Sequence, residues 1–191
     1  GNIGYDEKKM KVIPNGFYIE AFKKDLAARA RIRRELRISE LDLVIGCIAR
    51  FDPQKDHETL VRAAGILMPQ VPNIRFLLCG KDVDWKNKEL VRWIEKAGIG
   101  GNVHLLGRRE DIADITASFD IATLASAYGE GFPNVVGEAM ACGVPCVVTD
   151  VGDSASIVGD TGIVVPTRDP EALARGWKKL LMVKPEERSR L

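Results

Sequence analysis

The chain has 191 residues, 46% of them hydrophobic, which is enough apolar material to bury one sizeable core. Its formal net charge of +1 carries no global bias toward nucleic acid or anionic lipid, so no nucleic-acid partner is expected. No apolar run approaches the roughly 20 residues of a membrane span, and the polar start GNIGYDEKKM lacks a signal peptide's apolar stretch, so a cytoplasmic location is expected. The chain opens on Gly and in mid-pattern, which predicts a piece of a longer parent.

The first 40 residues stand apart from the rest. KVIPNGFYIEAF (11–22) reads as a short strand, a Pro-Asn-Gly turn and a helix start. KKDLAARARIRRELR (23–37) is a basic helical stretch whose cations are Lys23, Lys24, Arg29, Arg31, Arg33, Arg34 and Arg37. Its apolar side, Leu26, Ala27, Ala30 and Leu36, is too thin to hold a bilayer, so a solvated helix face is expected.

From residue 43 onward, short apolar runs alternate with helical patterns. LVIGCIARF (43–51), IRFLLCG (74–80), VHLLG (103–107), IATLAS (121–126), PCVVTD (145–150) and GIVVP (162–166) read as strands covered on both faces, as in a parallel sheet. Between them, HETLVRAAGILMPQ (57–70) and KELVRWIEKAG (88–98) each place their apolar residues on one face, and Gly98 closes the second. DIADITASF (111–119) is a third helix. DPEALARGWKKLL (169–181) is a fourth, with Asp169 as N-cap and Pro170 in its first position. This alternation predicts an α/β fold, a Rossmann-like doubly wound parallel sheet of about six strands.

Cys47, Cys79, Cys142 and Cys146 all lie in apolar stretches and read as buried reduced thiols. Cys142 and Cys146 straddle a Gly-Val-Pro turn without C-x-x-C spacing, and His57 and His104 are far apart in sequence, so a zinc site or a histidine triad lacks material.

In an open parallel sheet, ligands bind outside the carboxyl ends of the strands. The first strand is followed by Arg50 and Lys55, the second by Gly80, Lys81 and Asp82, the third by Gly107 and Arg108, and the fourth by a loop carrying Glu130. An Arg fork and a Lys point charge on one short turn, with Asp56 as the N-cap of the helix that follows, suit a diphosphate; two solvated surface cations are the alternative. In GEGFPNVVGEAMACGVPCVVTD (129–150), Asn134 as N-cap or Pro133 in the first position starts a helix from about 134 to 142 that ends at Gly143. Its free amides form an anion site, with Gly129 and Gly131 allowing close approach. Glu130 and Glu138 flank that site. Carboxylates there repel a phosphate unless they accept from hydroxyls, which describes a sugar–diphosphate–ribose ligand, with Glu138 on the ribose and Glu130 on the sugar. Alternatively, Glu138 is an ordinary helix acid favoured by the macrodipole and Glu130 an ordinary loop acid.

The segment EGFPNVVGEAMACGVPCVVTDVGDSASIVGDTGIVVP (130–166) resembles the donor-binding segment of GT-B glycosyltransferases of the family 4 type, with its Ala-Met-Ala-Cys-Gly turn and with seven residues between its two glutamates. VIPNGFYIEAF is similar to that family's linker into its C-terminal domain, IGCIARFDPQKD to its phosphate-binding loop, and FLLCG and LLGRREDI to its nucleotide-side loops. The resemblance implies a single nucleotide-sugar-binding domain over 1–191, the C-terminal half of a GT-B fold. It makes 1–40 the linker and leading helix, with an acceptor-binding N-terminal domain absent. It implies a hexosyltransferase in which Arg50, Lys55 and Glu130 are catalytic, the two cations stabilising the leaving diphosphate. Glu138, Gly131, Phe132, Pro133, Asn134, Val135, Gly80, Gly107 and Arg108 would bind the donor, a UDP-, GDP- or ADP-sugar. Transfer would go with retention, without a metal or other cofactor, to a glycan, lipid or small-molecule acceptor held by the missing domain, and this piece alone would turn over little. Phe132-Pro133 departs from the commoner Phe-Gly and stiffens the loop.

Rival readings have thinner support. Asp82-Val83-Asp84 makes the D-x-D of metal-dependent GT-A transferases, but the glutamate motif belongs to the other fold. The first strand is followed by A-R-F-D-P-Q-K, where a nicotinamide site needs G-x-G-x-x-G. A GT-B-shaped epimerase would show signature residues that are not seen. A non-catalytic nucleotide-sugar-binding or interaction module of GT-B shape is the alternative function.

Overall fold

The computed structural model describes Gly16 and residues 20–183. The strand and turn expected in the linker lie outside the described residues, apart from Gly16 and the last three positions of that segment. The sheet is six-stranded and wholly parallel: β1 Leu43–Ile48, β2 Ile74–Cys79, β3 Val103–Leu105, β4 Ile121–Leu124, β5 Cys146–Thr149 and β6 Ile163–Val165, in the order β3-β2-β1-β4-β5-β6. The helices are α1 Leu26–Glu35, α2 His57–Leu67, α3 Lys88–Ala97, α4 Ile112–Ala117, α5 Asn134–Ala141, α6 Ser154–Val158 and α7 Pro170–Met182. The expected doubly wound α/β architecture is what forms, with each strand a few residues shorter than its apolar run. The trimmed residues become the loops that leave the strands.

Apolar continuity produces this sheet because both faces are covered. Ile45, Cys47, Phe76, Leu78 and Val147 point into a core formed with α2, α3 and α7. Val44, Leu77, Cys79 and Val148 alternate into a second core beneath α4, α5 and α6, with Ile32 of α1. The fully buried Trp177 anchors α7: its indole lies 5.8 Å from the Phe76 ring, and its N–H donates to Thr123 Oγ1 at 2.8 Å. A Cβ at Gly176 would come within 2.9 Å of Val147 Cγ1, so the missing side chain lets α7 lie close on β5. All four cysteines are buried and free.

Two elements differ from expectation. The five-residue α6 fills DSASIV, a stretch too short and too rich in small residues to show a helical period. The basic α1 is no simple solvated face. Arg33 is fully buried, donating to the carbonyls of Ser118 and Asp42 and to Asp120 Oδ2 at 2.7 Å, and Arg29 donates to Asp120 Oδ1 at 2.9 Å. Arg31 pairs with Asp114. Three of the cations expected in water therefore fasten α1 to the end of α4 and the start of β4, because their partners come from residues some 80 to 90 positions on. No helix among the described residues is long and apolar enough to cross a membrane.

Candidate active site

The strand order reverses between β1 and β4, where the connections depart in opposite directions and leave a crevice at the carboxyl ends of the strands. The loop after β1 forms one wall. Asp52 accepts from the Gln54 amide at 2.9 Å and caps a short 3-10 turn over Pro53–Lys55. Asp56 then adopts a left-handed conformation (φ 47°) while its carboxylate accepts from the amide of Thr59 at 3.1 Å and its hydroxyl at 2.7 Å. Left-handed backbone is tolerated by Asp where its side chain closes a local bond. The reversal turns Lys55 off the axis of α2 and toward the β4 loop.

The β4 loop forms the other wall. Lys55 Nζ lies 2.5 Å from Glu130 Oε1, with the two side chains only 14% and 8% exposed. Ser126 Oγ donates to the same oxygen at 2.5 Å, and the fully buried Ser126 is itself held through its carbonyl by Thr149 Oγ1 at 2.7 Å. Gln54 fastens the walls together: its carbonyl accepts from the Ala127 amide, and its side-chain amide donates to the Gly129 carbonyl, both at 2.8 Å. Arg50 is exposed beside this clasp, donating to Asp52 and to Gln54 Oε1 at 3.2 Å each.

From the far side, the β5 loop presses on the same backbone. Gly152 (φ 57°) sits so close that a Cβ would lie 2.3 Å from the Glu130 carbonyl oxygen and 2.5 Å from that of Gly131, and the Asp153 amide donates to the Gly131 carbonyl at 2.9 Å. The loop is thus held from β1, β4 and β5 at once.

Pro133, not Asn134, is the N-cap of α5. Proline has no side-chain acceptor, so α5 starts without the side-chain cap that Asp25, Asp56, Asn87 and Asp169 give to α1, α2, α3 and α7. Asn134 and Val135 open its first turn, next to the exposed Gly131 and the half-buried Phe132. Glu138 lies one turn further in. It is half-buried, its carboxylate has no hydrogen-bond partner among the described residues, and burial alone raises its carboxyl pKa. The crevice therefore holds a tightly partnered glutamate, one whose carboxylate has no partner among the described residues, and a helix start to which Pro133 gives no side-chain cap.

Gly80, Gly107 and Arg108 lie one and two strands away, at the ends of β2 and β3. A Cβ on Gly80 would meet the Ala49 carbonyl oxygen at 2.0 Å, so that glycine lets the β2 exit lie against the backbone leading to Arg50. The Gly80 amide donates to the Gly107 carbonyl, and the Gly107 amide to the Val83 carbonyl, both at 2.9 Å. Arg108 is exposed, whereas the adjacent Arg109 is consumed by Glu35 at 2.7 Å and by Asp111 in a bidentate pair at 2.8 Å. In the D-x-D segment, Asp84 is spent accepting from the Lys86 amide at 2.8 Å, and Asp82 is a left-handed turn residue. No group of three or more His, Cys, Asp or Glu among the described residues is arranged to hold a metal.

Sequence reasoning thus reached the two walls but missed Gln54, Ser126, Thr149, Gly152 and Asp153. Ser126 and Thr149 were visible only as polar ends of apolar runs. Nothing in the spacing pairs Gln54 with a residue 75 positions away.

Comparison with known proteins agrees with this geometry. Residues 42–182 match the family described as glycosyl transferases group 1. A D-inositol 3-phosphate glycosyltransferase of Corynebacterium jeikeium (strain K411) is 32% identical over 94% of this chain and 45% of its own length. Among solved structures, Anabaena Alr3699/HepE in complex with UDP and glucose superposes with a TM-score of 0.85 at 28% identity, over 97% of this chain and 50% of that one. The C-terminal domain of the group 1 family protein LpcC from Francisella tularensis shares the fold at 22% identity, with a TM-score of 0.78 over 92% of this chain and 93% of that one. The chain spans less than half the length of the curated relative. With that sheet order, the crevice at its switch point and the match over residues 42–182, the chain belongs to the glycosyl transferases group 1 family.

Proposed function

We propose that the chain is the donor-binding domain of a glycosyltransferase of the family 4 type, taking a UDP-, GDP- or ADP-sugar and working with a separate acceptor-binding domain. The observation that carries this reading is the meeting of two loops in one crevice: the Arg50–Lys55 loop after β1 and the Glu130–Val135 loop that runs into α5 after β4. Cations on one wall suit a diphosphate, and the first turn of α5, which Pro133 gives no side-chain cap, suits its oxygens. The unpartnered Glu138 carboxylate has its acceptor sites open for ribose hydroxyls, while Glu130 accepts from hydroxyls of the sugar. Backbone groups at Gly131, Phe132, Asn134 and Val135 line the sugar and phosphate, and Gly80, Gly107 and Arg108 frame the base. The complex of Anabaena Alr3699/HepE with UDP and glucose supports a uridine nucleotide among the donors.

In transfer, the bond between the sugar's anomeric carbon and the β-phosphate oxygen breaks, and its electron pair leaves on the diphosphate. Arg50 and Lys55 neutralise that charge as it develops. The acceptor hydroxyl oxygen forms the new bond to the anomeric carbon and gives up its proton to an oxygen of the departing diphosphate, with retained configuration. Side-chain cations serve the leaving group here, so the reaction is read as metal-independent.

Thermal unfolding with UDP, GDP and ADP and their sugar conjugates, in the presence of a chelator, tests this. A ligand at 100 times its dissociation constant adds about 2.7 kcal/mol of stability. One nucleotide series is expected to stabilise the chain, and Glu138→Ala to abolish the effect. Binding that required a divalent metal, or that survived Glu138→Ala undiminished, would refute the assignment.

A further inference from the structure

Of the two acids assigned to the ligand, Glu130 alone is already occupied. Its Oε1 receives Lys55 Nζ and Ser126 Oγ, and the pair is nearly excluded from water. The two partners are unequal in mobility. Glu130 sits on a loop pinned by Thr149 through Ser126, by Gly152 and by the Asp153 amide, so its carboxylate is fixed to β4 and β5. Lys55 reaches it on a four-carbon stem from the β1 loop. A phosphate approaching Lys55 therefore meets a carboxylate that cannot retreat. In so dry a place that like charge is poorly screened.

A free diphosphate gains Lys55 but must lie beside Glu130 with nothing to offer it. A diphosphate bearing a sugar supplies both needs: phosphate oxygens for the ammonium and hydroxyl donors for the carboxylate. We propose that the Lys55–Glu130 ion pair is a selectivity gate, favouring a sugar-bearing nucleoside diphosphate over the free nucleoside diphosphate, with Ser126 as the residue that positions its fixed half. This deepens the donor-site reading and rests on it. The same contact re-forms once the sugar has been transferred, so the gate also drives the spent diphosphate out.

Calorimetric titration of the 191-residue chain with UDP, GDP, ADP and their sugar conjugates tests the gate in the wild type, Glu130→Gln and Ser126→Ala. Glu130→Gln keeps the size of the side chain but removes its charge, so the free nucleoside diphosphate is expected to bind about fivefold tighter or more. The conjugate is expected to bind more weakly, and the preference for it to collapse toward unity. Ser126→Ala leaves the charge but loosens its position, and is expected to shift the same ratio in the same direction by a smaller factor. A merely structural hydroxyl would weaken both ligands alike. If Glu130→Gln fails to fold, Ser126→Ala alone carries the test through that ratio. Variants that bind the free diphosphate no tighter than the wild type, while still binding it, overturn the gate and leave the donor site standing. If the wild type and variants bind no nucleotide at all, gate and donor site fall together.

Discussion

Gly152 packs directly on the backbone of Glu130 and Gly131, and replacing Gly152 or Gly131 by alanine separates what holds the loop from what it holds. At Gly152 an alanine is penalised twice. Its φ of 57° costs a non-glycine residue about 1 kcal/mol. Its Cβ would also fall 2.3 Å from the Glu130 carbonyl oxygen, a rigid backbone atom, so the two loops must separate. Separation breaks the 2.9 Å bond from the Asp153 amide to Gly131, worth about 1 kcal/mol. The sum is about 2–3 kcal/mol, which in a domain of this size lowers Tm by about 4–12 °C. Gly131 is the opposite case: a Cβ there would have open space among the described residues, and it does not have a positive φ. Gly131→Ala should leave Tm within about 1–2 °C of wild type. It should nonetheless weaken nucleotide-sugar binding, because a methyl group there occupies ligand space. Thermal unfolding by circular dichroism and calorimetric binding read the two effects independently. If Gly152→Ala melts with the wild type, or if Gly131→Ala loses as much stability as Gly152→Ala, the loop is not held as described.

Three further outcomes are expected. Arg33→Ala removes a fully buried guanidinium that satisfies Asp120 and the carbonyls of Ser39, Asp42 and Ser118, and should cost about 3 kcal/mol in urea-unfolding measurements. Burial pushes the His57 imidazole down to about 4, and neither ring nitrogen has a partner among the described residues; the unfolded chain therefore takes up a proton below about pH 6.5 that the folded chain refuses until about pH 4. Stability should fall by about 3 kcal/mol across that window, and His57→Leu should flatten the slope in urea midpoints taken at successive pH values. Glu138 titrates above its ordinary value, so its charge opposes folding at neutral pH and stability is regained as pH falls through the raised pKa. Glu138→Gln should accordingly raise Tm at pH 7 while weakening nucleotide binding, and an equal or lower Tm would contradict the burial argument.

How far a residue was legible depended on whether its role is local in the chain. Asp169 capping α7, Gly98 closing α3 and Asp56 capping α2 each act within a few positions, and their residue types announce it. The strand runs were legible because burial on both faces leaves no polar alternation to confuse them. The α5 cap was misread because Asn is the better capping residue by type, yet the proline before it already sets the extended backbone an N-cap needs. The arginines of α1 were misplaced for a different reason. Arg33 looks like any solvated helix cation until Ser118 and Asp120 arrive from the far end of α4 to bury it. In the same way, Lys55 and Glu130 were each placed near the ligand, but their contact with each other required the fold to lay the β1 and β4 loops side by side.

That contact gives the two glutamates different chemistry despite their shared motif. Glu138 is carried on α5, faces no donor, and keeps its charge at a cost to stability that a ligand's hydroxyls would relieve. Glu130 is carried on a loop clamped by three strands' worth of connections, and its charge is already matched by Lys55 and Ser126. On the proposed donor-site reading, binding at Glu138 would therefore be an addition, whereas binding at Glu130 would be an exchange. An addition responds to any ligand with a ribose, and an exchange only to one that replaces both partners' contacts together. On the proposed reading, the burial of one acid and the pairing of the other would let a single crevice first admit a nucleotide and then discriminate whether it carries a sugar.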